Sequence, residues 1–359
     1  MKIRLTQIDG KLPNLALMKL SHWHKSRGDD IVFTRSVARD MFEPEYDIVY
    51  GSTIFSFSEQ HTRRFRQNFH NAIIGGTGTW AKAFVDTDIP IADDIGRTIE
   101  SVVIGHEYEN YDYSIYPDYQ WSIGFTARGC RLRCGFCVVP QKEGKPRSIN
   151  SIYDIWRKGT EKNIHLLDND FFGQDKQQLE RRIDEILSGE FRVCFNQGIN
   201  IRLINDEAAY QLGKMNYYDD QFKTKRLYTA WDNLKDEGIF FRGVDSLARN
   251  GVPPHHLMVY MLVGYDKEET WERIFHRFNR MVEYGIRPYP MVYNNSNKEL
   301  KRFQRWVIRR YYEFVKWEDY QHVIEEPIGT LPMFITNAKE EAAGDNNAGA
   351  GDEQTPSAL

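Results

Sequence analysis

Short apolar segments alternate with helix-forming segments along most of the chain, and this alternation constrains the fold more than any other feature of the sequence. Pro13 begins a predicted helix that Gly28 ends. Strands that are separated by helices pair in parallel, so the pattern predicts an α/β fold with an N-terminal doubly wound, Rossmann-like domain. Predicted strands of the first hundred residues are 2–8, 30–34, 46–52 and 71–75.

The alternation resumes after residue 120 with longer helices between the strands. The predicted strands are 121–127, 163–167, 192–196, 226–230, 257–264 and 287–293. The predicted helices are 151–158, 176–188, 206–214, 236–250, 268–284 and 298–314. A closed eight-unit barrel needs about 250 residues. Six βα units in a shorter segment therefore predict a partial (β/α)6 TIM-type barrel.

These patterns divide the 359 residues into a Rossmann-like domain at 1–106, a linker at 107–119 and a barrel with its C-terminal helix at 120–320. The linker is rich in Tyr, Asp and Pro. The segment 338–359 is small, acidic and free of aromatic residues, so we expect a disordered tail there.

Charge and hydropathy limit the classes of partner. The formal net charge of -4 argues against a protein that binds nucleic acid mainly through its phosphates. No uncharged apolar stretch of about 18 residues appears, and residues 1–5 lead into a strand rather than a signal peptide. We therefore expect a cytoplasmic protein with no membrane partner.

Three of the four cysteines lie directly after the predicted strand 121–127, with the spacing C-x3-C-x2-C. Cys130, Cys134 and Cys137 can supply thiolates to three irons of a [4Fe-4S] cluster, which takes four thiolates when fully ligated. The missing fourth ligand leaves one iron open to a small molecule. A structural zinc site is the alternative, but it usually needs a second Cys or His pair. Cys194 lies in a predicted strand as a small buried hydrophobe.

This motif, with Phe136 as the aromatic residue before its last cysteine, resembles the signature of the radical S-adenosylmethionine (SAM) superfamily. The resemblance covers about 119–294. It implies that SAM chelates the open iron and is cleaved by an electron from the cluster to methionine and a 5′-deoxyadenosyl radical, which takes a hydrogen atom from the substrate. It also implies a reductant protein such as flavodoxin or ferredoxin.

The carboxyl ends of the predicted strands carry the candidate SAM-binding residues. Asp168, Asn169 and Asp170 follow the second barrel strand, where family members hold the SAM ammonium, often with Gly-Gly-Glu, which this chain lacks. A helix N-cap is the alternative for this triplet. Gln197 and Arg202 follow the third strand and could bind SAM, substrate or a structural ion-pair partner. Gly264 ends the strand that borders adenine in the superfamily.

The N-terminal domain resembles the cobalamin-binding domain of one radical SAM class. Its glycine run at 75–79 fits either a ligand loop or a tight turn. This resemblance makes cobalamin-dependent methyl transfer an alternative function. The chain lacks the Asp-x-His-x-x-Gly motif that supplies a cobalt ligand in many cobalamin proteins, which counts against this alternative without excluding it. Methylthiotransferases carry three further cysteines in this domain, and this chain has none there.

Two further segments leave alternatives open. The predicted helix 298–314 interleaves basic and aromatic residues, which favours an amphipathic helix over an RNA-binding surface. A non-catalytic iron-sulfur protein that binds RNA is accordingly the third functional alternative. Glu143, Lys145 and Arg147 follow the cysteines, and we expect a solvated loop there rather than a cover over SAM. The sequence assigns neither the substrate, nor a catalytic residue, nor the oligomeric state.

Overall fold

Parallel strands alternate with helices in both of the units into which the chain divides. The first unit is Met1–Phe195, and the second begins at Asn196. The structure is a computed structural model, and it describes residues 1–80, 104, 109–294 and 296–323. The predicted α/β class is confirmed. The predicted linker at 107–119 falls within the first unit, so the domain boundary stays a prediction, and the predicted tail at 338–359 lies outside the described residues.

The first sheet has four parallel strands in the order β2-β1-β3-β4. Their bounds are Lys2–Gln7 for β1, Asp30–Thr34 for β2, Ile48–Ser52 for β3 and Ile73–Gly75 for β4. From β1 the chain runs to β2 on one side and then to β3 on the other. The carboxyl ends of β1 and β3 therefore flank a topological switch point, where open α/β sheets commonly bind ligands.

The second sheet of this unit contains three parallel strands in the order β5-β8-β9, and an antiparallel hairpin follows its first strand. The sheet strands are β5 Ser122–Gly124, β8 Asn163–Leu166 and β9 Arg192–Phe195. In the hairpin, β6 Ala127–Arg128 pairs with β7 Arg147–Ser148. The hairpin interrupts the predicted strand 121–127 and closes a loop that contains the three-cysteine motif.

One hydrophobic core joins the two sheets of the first unit. Ile3 and Leu5 of β1 and Ile123 of β5 belong to the same buried cluster. The predicted linker adds Ile115 and Tyr116 to it, and the Tyr116 hydroxyl donates to the Gln7 side chain at 2.8 Å. Shared burial of apolar side chains therefore accounts for the continuity of this unit across residues 107–119.

The second unit contains a parallel sheet in the order β11-β12-β13, with β11 Leu227–Ala230, β12 Leu257–Val263 and β13 Arg287–Val292. A further short strand, β10, is Asn216–Tyr217. Arg277 is buried, and its guanidinium donates to the carbonyls of Trp231 and Leu262 at 3.0 Å each. It thereby ties the carboxyl ends of β11 and β12 together.

The longer helices bury one face each, as their apolar spacing predicts. The C-terminal example packs Phe303 and Trp306 inward while Arg305 and Arg309 are exposed, so its aromatic residues belong to the core. The longer helices are Leu15–Ser26, Glu59–Asn68, Lys176–Ser188, Asp206–Lys214, Glu237–Arg249, Trp271–Glu283 and Lys298–Ile308. The shorter ones are Val139–Lys142, Ile152–Ile155 and Trp317–Val323.

Two of the predicted helices are much shorter in the structure. The predicted helix 151–158 is a single turn, Ile152–Ile155, with a capping box between Ser151 and Asp154. The predicted helix 298–314 ends at Ile308, because Arg310 adopts a left-handed backbone with φ of 57°. Within the described residues, no helix is long and apolar enough to cross a membrane.

Candidate functional site

The cysteine loop leaves the second sheet at Gly129 and is held closed by the backbone of the hairpin. Gly129 has a φ of +86°, and a Cβ atom there would collide with the backbone of Lys145. The Cys130 amide donates to the Gly144 carbonyl at 3.2 Å. Within the loop, the Cys137 amide donates to the Cys134 carbonyl at 3.0 Å. Glycine at 129 is therefore required by close backbone approach as well as by its φ angle.

The three thiols of this loop differ in environment from the fourth. Cys130, Cys134 and Cys137 are partly exposed, whereas Cys194 is fully buried in β9. The Leu132 amide donates to Cys130 Sγ at 3.4 Å. Burial raises the pKa of Cys130, and the neighbouring Asp170, Cys137 and Cys134 raise it further. The three thiols thus share one short loop and partial exposure, and Cys194 shares neither.

The donor set fits an iron-sulfur cluster by its chemistry. Thiolates are the ligands of such clusters, and a hydrogen bond from an amide to sulfur, as Leu132 makes, is one of the contacts that set their potential. As placed, no three His, Cys, Asp or Glu side chains among the described residues form a group that could hold a metal ion. The fit therefore depends on the thiol chemistry and the shared loop. Phe136 of the motif is 39% exposed beside them.

Glu143 anchors the returning arm of the loop, whereas Lys145 and Arg147, which the sequence placed with it in a solvated loop, are exposed. Its carboxylate accepts from Arg128 Nη1 at 3.0 Å, from the Gly129 amide at 2.9 Å and from Asn169 Nδ2 at 3.1 Å. Burial raises the pKa of Glu143, but the charge of Arg128 and the Gly129 amide outweigh it and hold the pKa below its ordinary value. Glu143 is thus an ionised, buried tie between the two arms.

Asp170 anchors the cysteine loop from the opposite side. It is buried, and its carboxylate accepts from Arg131 Nε at 2.7 Å, from Arg131 Nη2 at 2.9 Å and from the Arg131 amide at 3.1 Å. This bidentate pair fixes the residue that directly follows Cys130. A role for Asp170 in binding SAM stays a prediction.

Asp168 lies deeper and joins the ends of β5 and β8. It is buried and accepts from the Thr126 hydroxyl at 2.8 Å, from the Thr126 amide at 3.3 Å and from the Ala127 amide. Burial raises the pKa of Asp168 to about 6, against these hydrogen bonds, which lower it. Asp170 precedes the 3-10 helix Phe171–Gly173 but its side chain makes no capping hydrogen bond there, and Asp175 caps the next α-helix. The SAM-binding role of the triplet 168–170 stays a prediction.

The remaining predicted site residues lie in the second unit. Arg202 forms an ion pair with Asp236 at 3.1 Å, which is the structural alternative that the sequence left open. Gly264 has a φ of +77°, and its amide donates to Glu269 Oε2 at 2.6 Å. Gln197 precedes Gly198, whose φ is +82°. Their predicted roles in binding SAM remain predictions.

At the first sheet, the switch point is bridged by the chain itself. Asp9, directly after β1, accepts from the Thr53 hydroxyl at 2.8 Å and from the Ile54 and Phe55 amides at 2.7 and 2.9 Å, all directly after β3. Gly76 has a φ of +105°, and a Cβ atom there would collide with the Thr53 carbonyl. The glycine run therefore serves close packing of two loops.

The glycine run and the cysteine loop meet within the first unit. Lys142, which follows the cysteines, donates from Nζ to Thr77 Oγ1 at 2.8 Å. The contact brings the carboxyl edge of the first sheet beside the segment that returns from the cysteines. No sequence pattern predicts this contact, since 65 positions separate the two residues.

Sequence reasoning missed the charged anchors, Arg128 and Glu143, although a signal for them exists. Residues 128–147 contain six Lys or Arg and a single carboxylate, Glu143. A lone acid among so many cations is expected to be paired, and such pairing fixes a loop.

Comparisons of the chain with protein-family models, with curated proteins and with solved structures found no match.

Proposed function

We propose that the chain is a radical SAM enzyme in which Cys130, Cys134 and Cys137 bind a [4Fe-4S] cluster. The observation that carries this proposal is a short loop with three partly exposed thiols, whose two arms are fixed by the paired carboxylates Glu143 and Asp170. When bound, such a cluster supplies the electron that cleaves SAM to methionine and a 5′-deoxyadenosyl radical, which takes a hydrogen atom from the substrate.

In this proposal, the residues around the loop position the thiols and control the charge near them. Asp170 holds Arg131 beside Cys130, and Glu143 holds Gly129 on the other arm. Both carboxylates are paired with cations of the chain, which offsets much of their charge, although Asp170 still raises the pKa of Cys130. Their pairing therefore favours binding of an electron-rich cluster without a local excess of negative charge.

The finer fold assignments belong to the same proposal. A Rossmann-like first domain and a partial (β/α)6 barrel at 120–320 are supported by the parallel pairing of β2-β1-β3-β4, of β5-β8-β9 and of β11-β12-β13. The proposal also requires a low-potential reductant, such as flavodoxin or ferredoxin, and the reducing cytoplasm in which free thiols persist.

Anaerobic reconstitution with iron and sulfide tests the proposal. The reconstituted protein should show iron-sulfur absorbance and, with dithionite and SAM, should release 5′-deoxyadenosine. Cys134→Ala should lose both signals, whereas Cys194→Ala, which removes the buried thiol of β9, should keep both. Retention of both signals by Cys134→Ala would end the assignment.

Cobalamin-dependent methyl transfer is a second candidate, favoured by one contact. Lys142 of the cysteine segment reaches Thr77 of the glycine run, so a cofactor at the first sheet would lie near the cysteine loop. The Asp9 bridge across the switch point argues against it. Titration with hydroxocobalamin, followed by its visible spectrum, distinguishes the two, and no spectral change at micromolar concentration would remove this candidate.

A further inference from the structure

A cavity of about 590 Å³ opens beside the cysteine loop and has a basic wall. Its lining includes Cys130, Arg131, Arg133, Gln141 and Lys145. The volume lies within the range of about 300–1,000 Å³ that small-molecule sites occupy. Both arms of the loop contribute to the lining, so the cavity has the thiol of Cys130 on one side and the returning segment on the other.

The charges that line this cavity are not balanced. Arg131 is paired with Asp170, but Arg133 and Lys145 are exposed, and within the described residues neither forms an ion pair with a carboxylate. The nearby Glu143 is already engaged by Arg128. Since the whole chain carries a formal charge of -4, the positive charge here is a local feature rather than a general property of the surface.

SAM, which the proposed function places on the open iron of the cluster, does not account for the charge of this wall. It carries a sulfonium and an ammonium against a single carboxylate, so its net charge is positive and it gains no charge complementarity from Arg133 and Lys145. A phosphate monoester carries close to two negative charges near pH 7, because its second pKa is about 6. Arginine binds such an oxyanion through a planar fork and lysine as a compact charge.

We propose that this cavity binds the phosphate group of a small phosphorylated substrate, held by Arg133 and Lys145 beside Cys130. The inference rests on the proposed function, for which it names the substrate class. A cavity of about 590 Å³ suits one phosphate-bearing molecule better than an extended strand. Nucleic-acid sites that stack bases need aromatic rings, and none of the described residues that line this cavity is aromatic.

Calorimetric titration with inorganic pyrophosphate tests the inference on the full chain, before reconstitution and at low salt. Arg133→Gln/Lys145→Gln should weaken binding about tenfold or more, since each change removes a charge-assisted contact. The matched control is Arg64→Gln/Lys158→Gln, which removes two exposed cations of the same unit away from this cavity and should leave the affinity unchanged. No binding by the unmodified protein, or equal weakening in both double variants, would overturn the inference.

Competition with SAM and with an oligonucleotide tests whether the cavity binds either of these instead of a small phosphorylated molecule. SAM at the same concentration should leave pyrophosphate binding unchanged, and competitive displacement would make the cavity a SAM site instead. A ten-nucleotide oligothymidylate that bound at least about tenfold tighter than pyrophosphate, and lost this advantage in Arg133→Gln/Lys145→Gln, would overturn the small-molecule class in favour of nucleic acid.

The two proposals fail separately. Pyrophosphate binding needs neither cluster nor SAM, so normal binding without 5′-deoxyadenosine release would reject only the radical chemistry. Release of 5′-deoxyadenosine by a protein whose pyrophosphate affinity does not depend on Arg133 and Lys145 would reject only the phosphate site.

Discussion

Two sheet edges of the first unit are built from similar polar residues but leave different groups available. At the edge of the first sheet, Asp9 bonds to the hydroxyl and amides of the loop across the switch point, and Gly76 packs against the same loop. At the edge of the second sheet, Asp168 and Asp170 are equally engaged by the chain. At the second sheet, these hydrogen bonds fix a loop whose thiols remain partly exposed.

The difference indicates what buried carboxylates do at such edges. In both places they satisfy backbone amides and cations of the chain, because a buried charge without partners is costly. At the first sheet this closes the crevice. At the second sheet, the same pairing fixes both arms of the cysteine loop and so preorganises its thiols for a ligand.

The largest expected effect concerns the glycine at the base of the cysteine loop. Gly129→Ala should destabilise the protein by about 3 kcal/mol, because the new methyl group meets the Lys145 backbone and the residue keeps a positive φ. Gly144→Ala is the matched control, since its φ is +75° but a Cβ atom meets nothing within 4 Å. It should cost about 1 kcal/mol in urea denaturation. Equal costs would show that backbone approach does not close this loop.

The same comparison applies to the first sheet. Gly76→Ala should cost about 3 kcal/mol through collision with the Thr53 carbonyl, whereas Gly28→Ala, with φ of +81° and open space around its Cβ, should cost about 1 kcal/mol. If the cluster forms normally in Gly76→Ala but not in Gly129→Ala, the two edges act independently. Loss of the cluster in both variants, measured by iron content, would contradict that separation.

The pH dependence of stability should report Asp168. Its pKa is about 6 in the folded state and near 3.8 when unfolded, so the folded state binds its proton more tightly. The contribution of Asp168 to the free energy of unfolding is therefore fully present below pH 4 and is lost as the pH rises through 6. Two pKa units correspond to about 3 kcal/mol.

Other carboxylates titrate in the same range, so the Asp168 contribution is measured as a difference. The difference in unfolding free energy between the unsubstituted chain and Asp168→Asn should change by about 3 kcal/mol between pH 4 and pH 7. As the pH rises, the unfolding free energy of the unsubstituted chain should fall relative to that of Asp168→Asn. A constant difference would mean that Asp168 is ionised throughout, as its three hydrogen bonds would then require.

Much of the fold followed from the sequence because periodicity reports burial directly. Strand β2 and the helices at Lys176–Ser188 and Asp206–Lys214 have the predicted limits, since their apolar residues recur with the period of the element. The hairpin of β6 and β7 was missed, because two-residue strands are too short for any period. The helix Glu59–Asn68 was missed too, since it buries only Thr62 and Phe65.

The sequence could predict the candidate site only where the residues that form it lie close together in the chain. The three cysteines lie within eight positions, and their motif was recognised at once. The partner of Asp170 lies 39 positions away, and Lys142 and Thr77 are 65 apart. Pairs of this kind depend on which loops the fold brings together, so the sequence could name Asp170 but could not distinguish an anchor for Arg131 from a ligand for SAM.

The anchor role of Asp170 predicts a moderate loss of stability. Asp170→Asn should cost about 2 kcal/mol in urea denaturation, because it leaves Arg131 without its bidentate partner while the guanidinium can still reach water. Asp184→Asn, an exposed acid of the helix Lys176–Ser188, should cost no more than about 0.5 kcal/mol. If Asp170 instead serves only SAM, stability would be unchanged and SAM affinity alone would fall.

The smallest effect tests whether the two edges communicate through the contact between Lys142 and Thr77. A double-mutant cycle with Lys142→Met and Thr77→Val should give a coupling free energy of about 0.5–1 kcal/mol in urea denaturation, the net worth of one partly buried hydrogen bond. Additive effects would leave the glycine run and the cysteine loop as neighbours without energetic connection. A coupling free energy that increases after reconstitution would mean that the cluster strengthens this contact. The first sheet would then respond to the state of the cysteine loop, although Asp9 bridges the crevice at its own edge.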